Sequence, residues 1–213
     1  MNSRTKKITM IAMLVAASLV AVSLFRIPIV LFLKYEPKDV IITIGGFLFG
    51  PFTAFLVSAA VAVIEMFTMS DTGVIGAIMN LLASCTFACT ASYIYKKHHT
   101  AMGAVFGLIT ASFLSTGVML LWNYLITPLY MGIPREGVVE LMLPALLPFN
   151  LLKVTLNSSI ILLVYKPIVT ALRRLQFVES TNSKKTSKSE ISILASVLLL
   201  TCLLIILVWK GII

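Results

Sequence analysis

Four polar side chains stand on two apolar segments near the middle of the chain, and their types suit the binding of a small molecule. Asn123 and Tyr124 end one segment, and Asn150 and Lys153 begin the next, within the stretch LWNYLITPLYMGIPREGVVELMLPALLPFNLLK (121–153). Asn150 and Lys153 are three residues apart, so they project from the same face of a helix. Polar groups among leucines and prolines are costly in a membrane unless they face a partner or a water-filled cavity. These residues are therefore candidates for a ligand site.

The chemistry of these groups favours a neutral, planar heterocycle. An asparagine amide offers a donor and an acceptor, which complements a ring edge with alternating C=O and N–H groups, while lysine offers donors only. Aromatic neighbours, among them Tyr35 and Tyr124, could cover the ring faces. An alternative needs no ligand: the asparagines join neighbouring helices by hydrogen bonds, and Lys153 extends to the surface. The convergence of all these groups on one end of the membrane favours the ligand site.

The elements that must hold these residues are membrane helices. Of the 213 residues, 59% are hydrophobic and only 12% charged, and the mean hydropathy is +1.04. This composition predicts an all-α, polytopic membrane helical bundle surrounded by lipid. The net charge of +9 comes from short basic segments between apolar ones, which is typical of cytoplasmic loops, so we expect no nucleic-acid partner.

The number of crossings depends on the apolar stretch 40–67, which Gly50 and Pro51 interrupt. The basic loop 96–99 should lie on the same side as the basic N-terminus, which requires an even number of spans before it. We therefore predict a break at Gly50-Pro51. The predicted helices cover about 8–25, 39–49, 51–67, 77–95 and 101–126, with a sixth from between 143 and 148 to Arg174.

The predicted organisation is a six-helix binding domain (1–176), a polar cytoplasmic linker (177–190) and a seventh, peripheral membrane helix (191–213). The N-terminus would be cytoplasmic and the C-terminus outside. The connection 26–39 has apolar content and should fold back over a cavity as a lid. The connections 68–76 and 127–143 are predicted as outward loops.

The sequence lacks the motifs of the common enzyme classes. There is no G-x-x-x-x-G-K-[ST], G-x-S-x-G or H-E-x-x-H pattern, so we expect neither ATP hydrolysis by a phosphate loop nor a zinc or serine hydrolase. Glu65 is the only acid well within the apolar segments, and a structural partner is its expected role. The three cysteines show no paired spacing, so no disulfide or metal site is predicted.

Four motifs resemble the riboflavin-binding S components of energy-coupling factor (ECF) vitamin transporters. They are YEPKD with GGFLFGP (35–51), GVIGAIMN (73–80), WNYLITPLY (122–130) and LPFNLLK (147–153). The likeness covers about residues 8–175. It implies a six-helix membrane subunit that captures riboflavin from outside as its substrate, with no cofactor and no enzymatic activity of its own.

The resemblance also implies roles for particular residues. The ligand contacts of the family fall on Asn123, Asn150 and Lys153, and more loosely on Gly76 and Asn80. The remaining candidate contacts are Tyr35 and Asp39 of the YEPKD loop, which differs from the aspartate-rich version usual in the family, and Tyr124.

An AxxxA pattern at Ala12 and Ala16 matches the docking motif that faces the transmembrane T component, which two cytoplasmic ATPases drive. Two other classes of function remain open from the sequence. The chain could be an S component for FMN or another vitamin, or a membrane scaffold or enzyme without a recognised motif.

Overall fold

The structure of the protein is a computed structural model that describes residues 3–30, 33–69, 73–174 and 188–209. Within these ranges the chain is almost entirely helical. In order, the elements are α1 (Ser3–Leu24), β1 (Ile27–Val30), β2 (Leu33–Tyr35), α2 (Lys38–Phe49), α3 (Pro51–Thr68), α4 (Gly73–His98), α5 (Ala101–Met131), α6 (Arg135–Leu141), a π-helical turn (Met142–Leu146), α7 (Leu147–Arg174) and α8 (Lys188–Trp209).

Six segments of the described chain are long and apolar enough to cross a membrane: α1, α3, α4, α5, the continuous stretch from α6 into α7, and α8. The predicted all-α membrane bundle is therefore confirmed, with a small two-stranded sheet added to it. Helix α2 has 12 residues and rises only about 18 Å, which is too short for a membrane core of about 30 Å.

The chain reverses direction at Gly50-Pro51, as the count of crossings predicts. Gly50 has a φ of 96°, which glycine adopts at little cost, and Pro51 opens α3 at a position where proline is well tolerated. At one end of the α2–α3 pair, a Cβ on Gly46 would lie 3.0 Å from that of Ala54. At the other end, Lys38 contacts Glu65. The two helices are therefore antiparallel neighbours.

Helix α4 lies at the centre of the bundle and packs against α2, α3 and α5. Small residues allow the close approach: an added Cβ on Gly107 of α5 would lie 2.8 Å from the carbonyl oxygen of Ala91. Around this seam the buried core is apolar, with Phe47, Phe87 and Ile161 among its members.

The predicted loop 127–143 is wrong, because most of it is helical. Helix α5 continues through Pro128 to Met131 and ends at Gly132, whose φ of 66° gives a left-handed C-cap. Residues Arg135–Leu141 then form α6, which leads through the π-helical turn into α7. The predicted loop 68–76 is also shorter than expected, since α4 already begins at Gly73; residues 70–72 lie outside the described ranges.

The described parts of the connection 26–39 fold back onto the bundle, as predicted, but as two antiparallel strands, β1 and β2, which together are called the hairpin. Leu33 packs against Val138, Leu146 and Phe149. Tyr35 packs against α7 and α8. The hairpin is thus anchored by the C-terminal half of the chain.

Helix α8 lies at the edge of the bundle. It packs on α7 and touches β1, and its buried positions Ala195 and Cys202 face inward. Most of its leucines and isoleucines are exposed and would face lipid. Residues 177–187 of the predicted linker lie outside the described ranges, while 188–190 already belong to α8.

Candidate functional site

A cavity of about 200 Å³ lies between the hairpin, the start of α2, and helices α4, α5 and α7. It is at the end of the bundle where Lys38 and Glu65 meet, opposite the Gly50-Pro51 reversal. Its walls combine apolar surface with charged and amide groups. The lining residues are Arg26, Leu33, Lys34, Glu36, Asp39, Ile75, Gly76, Met79, Asn80, Ala83, Phe87, Ser115, Met119, Asn123, Phe149, Asn150, Lys153, Val154 and Asn157.

The two predicted asparagines line this cavity from opposite helices. Asn123 of α5 is 1% exposed; its Nδ2 donates to the carbonyl oxygen of Met119 at 2.7 Å, and its Oδ1 accepts from Thr127 at 3.0 Å. Asn150 of α7 donates from Nδ2 to the carbonyl oxygen of Leu146 at 2.8 Å. These hydrogen bonds stay within each helix, so neither amide joins two helices. Each amide retains hydrogen-bonding capacity, since an NH₂ group can donate twice.

Lys153 does not extend to the surface. Its Nζ lies 3.2 Å from Oδ2 of Asp39, and its side chain is only 15% exposed. The other oxygen of Asp39 accepts from Ser84 of α4 at 2.5 Å. The α7 lysine is thereby held on the cavity wall beside a neutralising carboxylate.

A second group of charges lies below the hairpin. Lys38 is 1% exposed. Its Nζ lies 2.6 Å from Oε2 of Glu36 and 2.5 Å from Oε2 of Glu65. The same Glu65 oxygen accepts from Nδ2 of Asn80 at 3.0 Å. Arg26 Nε is 2.9 Å from Glu36 Oε1 as an ion pair without hydrogen-bond geometry. Glu65 thus has the structural partner that the sequence predicted.

The charges of this group compensate one another. Burial opposes the ionisation of Glu36, but Lys38, Lys153 and Arg26 outweigh that effect and hold the pKa of Glu36 below its ordinary value. Three cations (Arg26, Lys38 and Lys153) face three carboxylates (Glu36, Asp39 and Glu65) across the two groups. These six paired charges cancel one another, and Lys34 also lines the cavity.

Of the predicted contacts, two tyrosines lie elsewhere. Tyr35 is 4% exposed and is not among the lining residues; its hydroxyl donates to Oδ1 of Asn157 at 2.8 Å. Burial raises the pKa of Tyr35, so this hydroxyl stays protonated. Tyr124 also lies off the cavity wall, with the guanidinium of Arg135 5.9 Å from its ring centre. The other predicted contacts, Gly76 and Asn80 of α4 among them, line the cavity.

The arrangement is suited to binding a small molecule, because its polar groups surround a cavity with apolar walls. Among the described residues there is no group of three His, Cys, Asp or Glu side chains that could hold a metal ion. Apolar walls with a few placed polar groups are the usual form of a small-molecule site.

Comparison with known proteins decides the family. The model of the family described as "ECF transporter, substrate-specific component" matches residues 6–165. The chain belongs to this family. Membership makes this S component part of a transporter and not an enzyme.

Two curated relatives carry the name riboflavin transporter RibU. The protein from Staphylococcus aureus is 28% identical over 181 residues, which is 81% of this chain and 95% of that protein. The protein from Streptococcus thermophilus is 28% identical over 184 residues, which is 81% of this chain and 87% of that protein.

A solved structure also resembles this S component. It is described as "Structure and mechanism of the S component of a bacterial ECF transporter" and matches with a TM-score of 0.68 and 27% identity. The match covers all of that chain and 81% of this one. Helix α8 begins after the residues that the family model matches.

The sequence does not predict several residues that lie at the cavity wall or pair with a residue of that wall. Glu36 lines the cavity and pairs with Lys38; both belong to the connection 26–39, and only their tertiary partners reveal that they are buried. Asn157 was missed although a signal existed, since Asn150, Lys153 and Asn157 occupy positions i, i+3 and i+7 of one helical face.

The predicted docking residues lie on the outer face of α1. Ala12 and Ala16 are exposed, whereas Met10, Ser18 and Val22 of the same helix are buried against the bundle. An exposed small-xxx-small pair leaves room for a further helix to approach.

Proposed function

We propose that this S component captures riboflavin in the cavity between the hairpin, α5 and α7 for ATP-driven uptake. The single observation that carries the proposal is the convergence of Asn123, Asn150 and Lys153 on one apolar-walled cavity. The two RibU relatives support riboflavin as the ligand.

The roles of these groups follow from their chemistry. The side chains of Phe149, Phe87 and Met119 would cover the faces of the flavin ring. The amides of Asn123 and Asn150 would pair with the carbonyl and N–H groups of the ring edge. Lys153, already neutralised by Asp39, would donate to an oxygen of the ligand without adding net charge to the site.

Partners supply the energy of transport in this proposal. A transmembrane T component and two cytoplasmic ATPases would work with this S component, which carries no phosphate-loop motif of its own. The T component would dock on the exposed face of α1 at Ala12 and Ala16. The N-terminus would be cytoplasmic, because the basic turn 96–99 lies near Gly50 at the end opposite the cavity: a Cβ on Gly50 would be 4.0 Å from Cδ of Lys96.

Riboflavin binding to the purified protein tests the proposal directly. Quenching of riboflavin fluorescence in detergent gives the affinity, and a flavin absorption band in the protein as isolated would be independent support. Asn150→Ala leaves a ligand group unpaired, at a cost of about 1–3 kcal/mol, so we expect roughly 5- to 150-fold weaker binding. Ser159→Ala is the matched control, because Ser159 is a buried polar residue of α7 that does not line the cavity. A wild-type protein that folds but does not quench riboflavin would overturn the proposal.

Lys153 needs its own comparison, because it also neutralises Asp39. Lys153→Met removes all three donors and leaves Asp39 uncompensated, so weaker binding alone would not separate the two roles. The double variant Lys153→Met with Asp39→Asn removes both charges. If Lys153 donates to riboflavin, the double variant stays weak. Recovery to wild-type affinity would show that neither Lys153 nor Asp39 contacts the ligand.

A further inference from the structure

Asn157 presents a hydrogen-bond donor for which the described residues offer no acceptor. It lines the cavity, is 1% exposed, and its Oδ1 accepts from the hydroxyl of Tyr35 at 2.8 Å. Its Nδ2 has no hydrogen-bond partner. Leaving a buried donor unpaired costs about 1–3 kcal/mol, so such a group on a cavity wall points to an acceptor supplied from elsewhere.

Tyr35 determines which end of the Asn157 amide stays available. The Tyr35 hydroxyl donates to Oδ1, and this bond leaves Nδ2 as the end of the amide that is available to another acceptor. Tyr35 is itself held by the side chains of Leu152 and Leu156 from α7 and of Cys202 from α8. The orientation of the amide is therefore set by contacts that lie behind the cavity wall.

The position of Asn157 on α7 fixes its distance from the other polar groups. Asn150, Lys153 and Asn157 share one face, and at 1.5 Å per residue Asn157 lies about 6 Å beyond Lys153 and about 10.5 Å from Asn150 along the helix axis. A ligand that engages both asparagines must therefore be elongated, with polar groups that lie apart along the direction of α7. The flavin ring has all its acceptors in one half, whereas riboflavin adds a chain of hydroxyl groups.

We propose that Asn157 is a further ligand-binding residue, whose Nδ2 donates to an oxygen of the hydroxyl chain of riboflavin, away from the ring edge bound by Asn150, and that Tyr35 is its positioning residue. The inference rests on the proposed function. It adds a second group of ligand contacts to the site. Asn150 would bind the flavin ring and Asn157 the hydroxyl chain, both from α7.

Riboflavin and lumiflavin, which has the ring but not the hydroxyl chain, test the role of Asn157. Asn157→Leu should weaken riboflavin binding roughly 5- to 150-fold, with a folded fraction equal to wild type by size exclusion. For lumiflavin, Asn150→Ala should weaken binding and Asn157→Leu should not, because Asn150 is assigned to the ring edge and lumiflavin has no hydroxyl chain to reach Asn157. Ser159→Ala again serves as the control. If Asn157→Leu does not fold, Asn157→Ala replaces it.

Tyr35 is tested by a double-mutant cycle. Tyr35→Phe removes the hydroxyl that fixes the amide, so it should weaken riboflavin binding less than Asn157→Leu does. In the Asn157→Leu background it should cause no further loss, because there is no amide left to orient. Additive losses of riboflavin affinity would show that Tyr35 does not act through Asn157 and contributes only by packing. Wild-type affinity in both Asn157 variants would overturn the inference, whereas failure of the unmodified protein to bind riboflavin would instead overturn the proposed function.

Discussion

Lys38 is the side chain whose removal tests the buried charge network most directly. It is 1% exposed and lies 2.6 Å from Glu36 and 2.5 Å from Glu65, so Lys38→Met would leave two buried carboxylates without their shared cation. Breaking a buried pair by removing one partner costs about 3–5 kcal/mol. For a chain of this size that corresponds to a fall in Tm of roughly 6–20 °C.

A compensating variant separates the charge from the shape of the side chain. Lys38→Met with Glu65→Gln removes one positive and one negative charge and leaves Glu36 paired with Arg26. It should therefore recover most of the lost stability. Both variants and wild type would be melted in the same detergent, with the unfolding of helices followed by circular dichroism. If Lys38→Met melts within about 2 °C of wild type, or the double variant melts no higher than the single one, the electrostatic reasoning is wrong.

The pH dependence of Tm gives a further check on whether loss of the Lys38 charge destabilises the protein. In the wild type the pKa of Glu36 lies below its ordinary value of 4.5, so the stability that its ionised form contributes is present at neutral pH and lost as the pH falls through the folded-state pKa. In Lys38→Met the carboxylates lack their cation, and protonation relieves the penalty. The difference in Tm between the variant and wild type should therefore shrink from about pH 8 to about pH 5.

Three further predictions follow from the site and the faces of the bundle. Ala12→Trp with Ala16→Trp should abolish uptake and co-purification with a T component while riboflavin binding survives; loss of binding would mean that this face packs within the protein. With the native cysteines replaced, a cysteine at Gly132 should react with an impermeant reagent from outside and one at His99 should not, and the reverse pattern would contradict the topology. FMN should bind at least about tenfold more weakly than riboflavin, because its phosphate would compete with the carboxylate already paired to Lys153; equal affinities would refute that argument.

The sequence was sufficient where local chemistry decides the structure. Gly50-Pro51 marks a reversal because a positive φ followed by a proline at a helix start has few alternatives. The Asn150–Lys153 face was readable from helical spacing alone, and the cavity lies where that face points.

The sequence was insufficient where a residue's burial or conformation depends on a partner that is distant in the chain. Lys38 lies in the charged segment YEPKD, which is typical of an exposed loop, and only Glu65 and Glu36 make its burial tolerable. The predicted fifth helix ends at about residue 126, although α5 passes through Pro128 to Met131. A proline removes one backbone donor, and a membrane helix with packed neighbours can absorb that loss.

The contact between Tyr35 and Asn157 also bears on the order in which the protein is made. The two residues are 122 positions apart in the chain, and the Cys202 side chain that supports Tyr35 comes later still. At about 5–20 residues per second, a ribosome needs roughly 6–24 s to reach Asn157 after Tyr35 has been synthesised. The α2–α3 pair can form in that interval, because Lys38 and Glu65 are only 27 residues apart. The hairpin, by contrast, packs on α7 as well as on earlier helices, so the binding site cannot be completed until α7 has been synthesised.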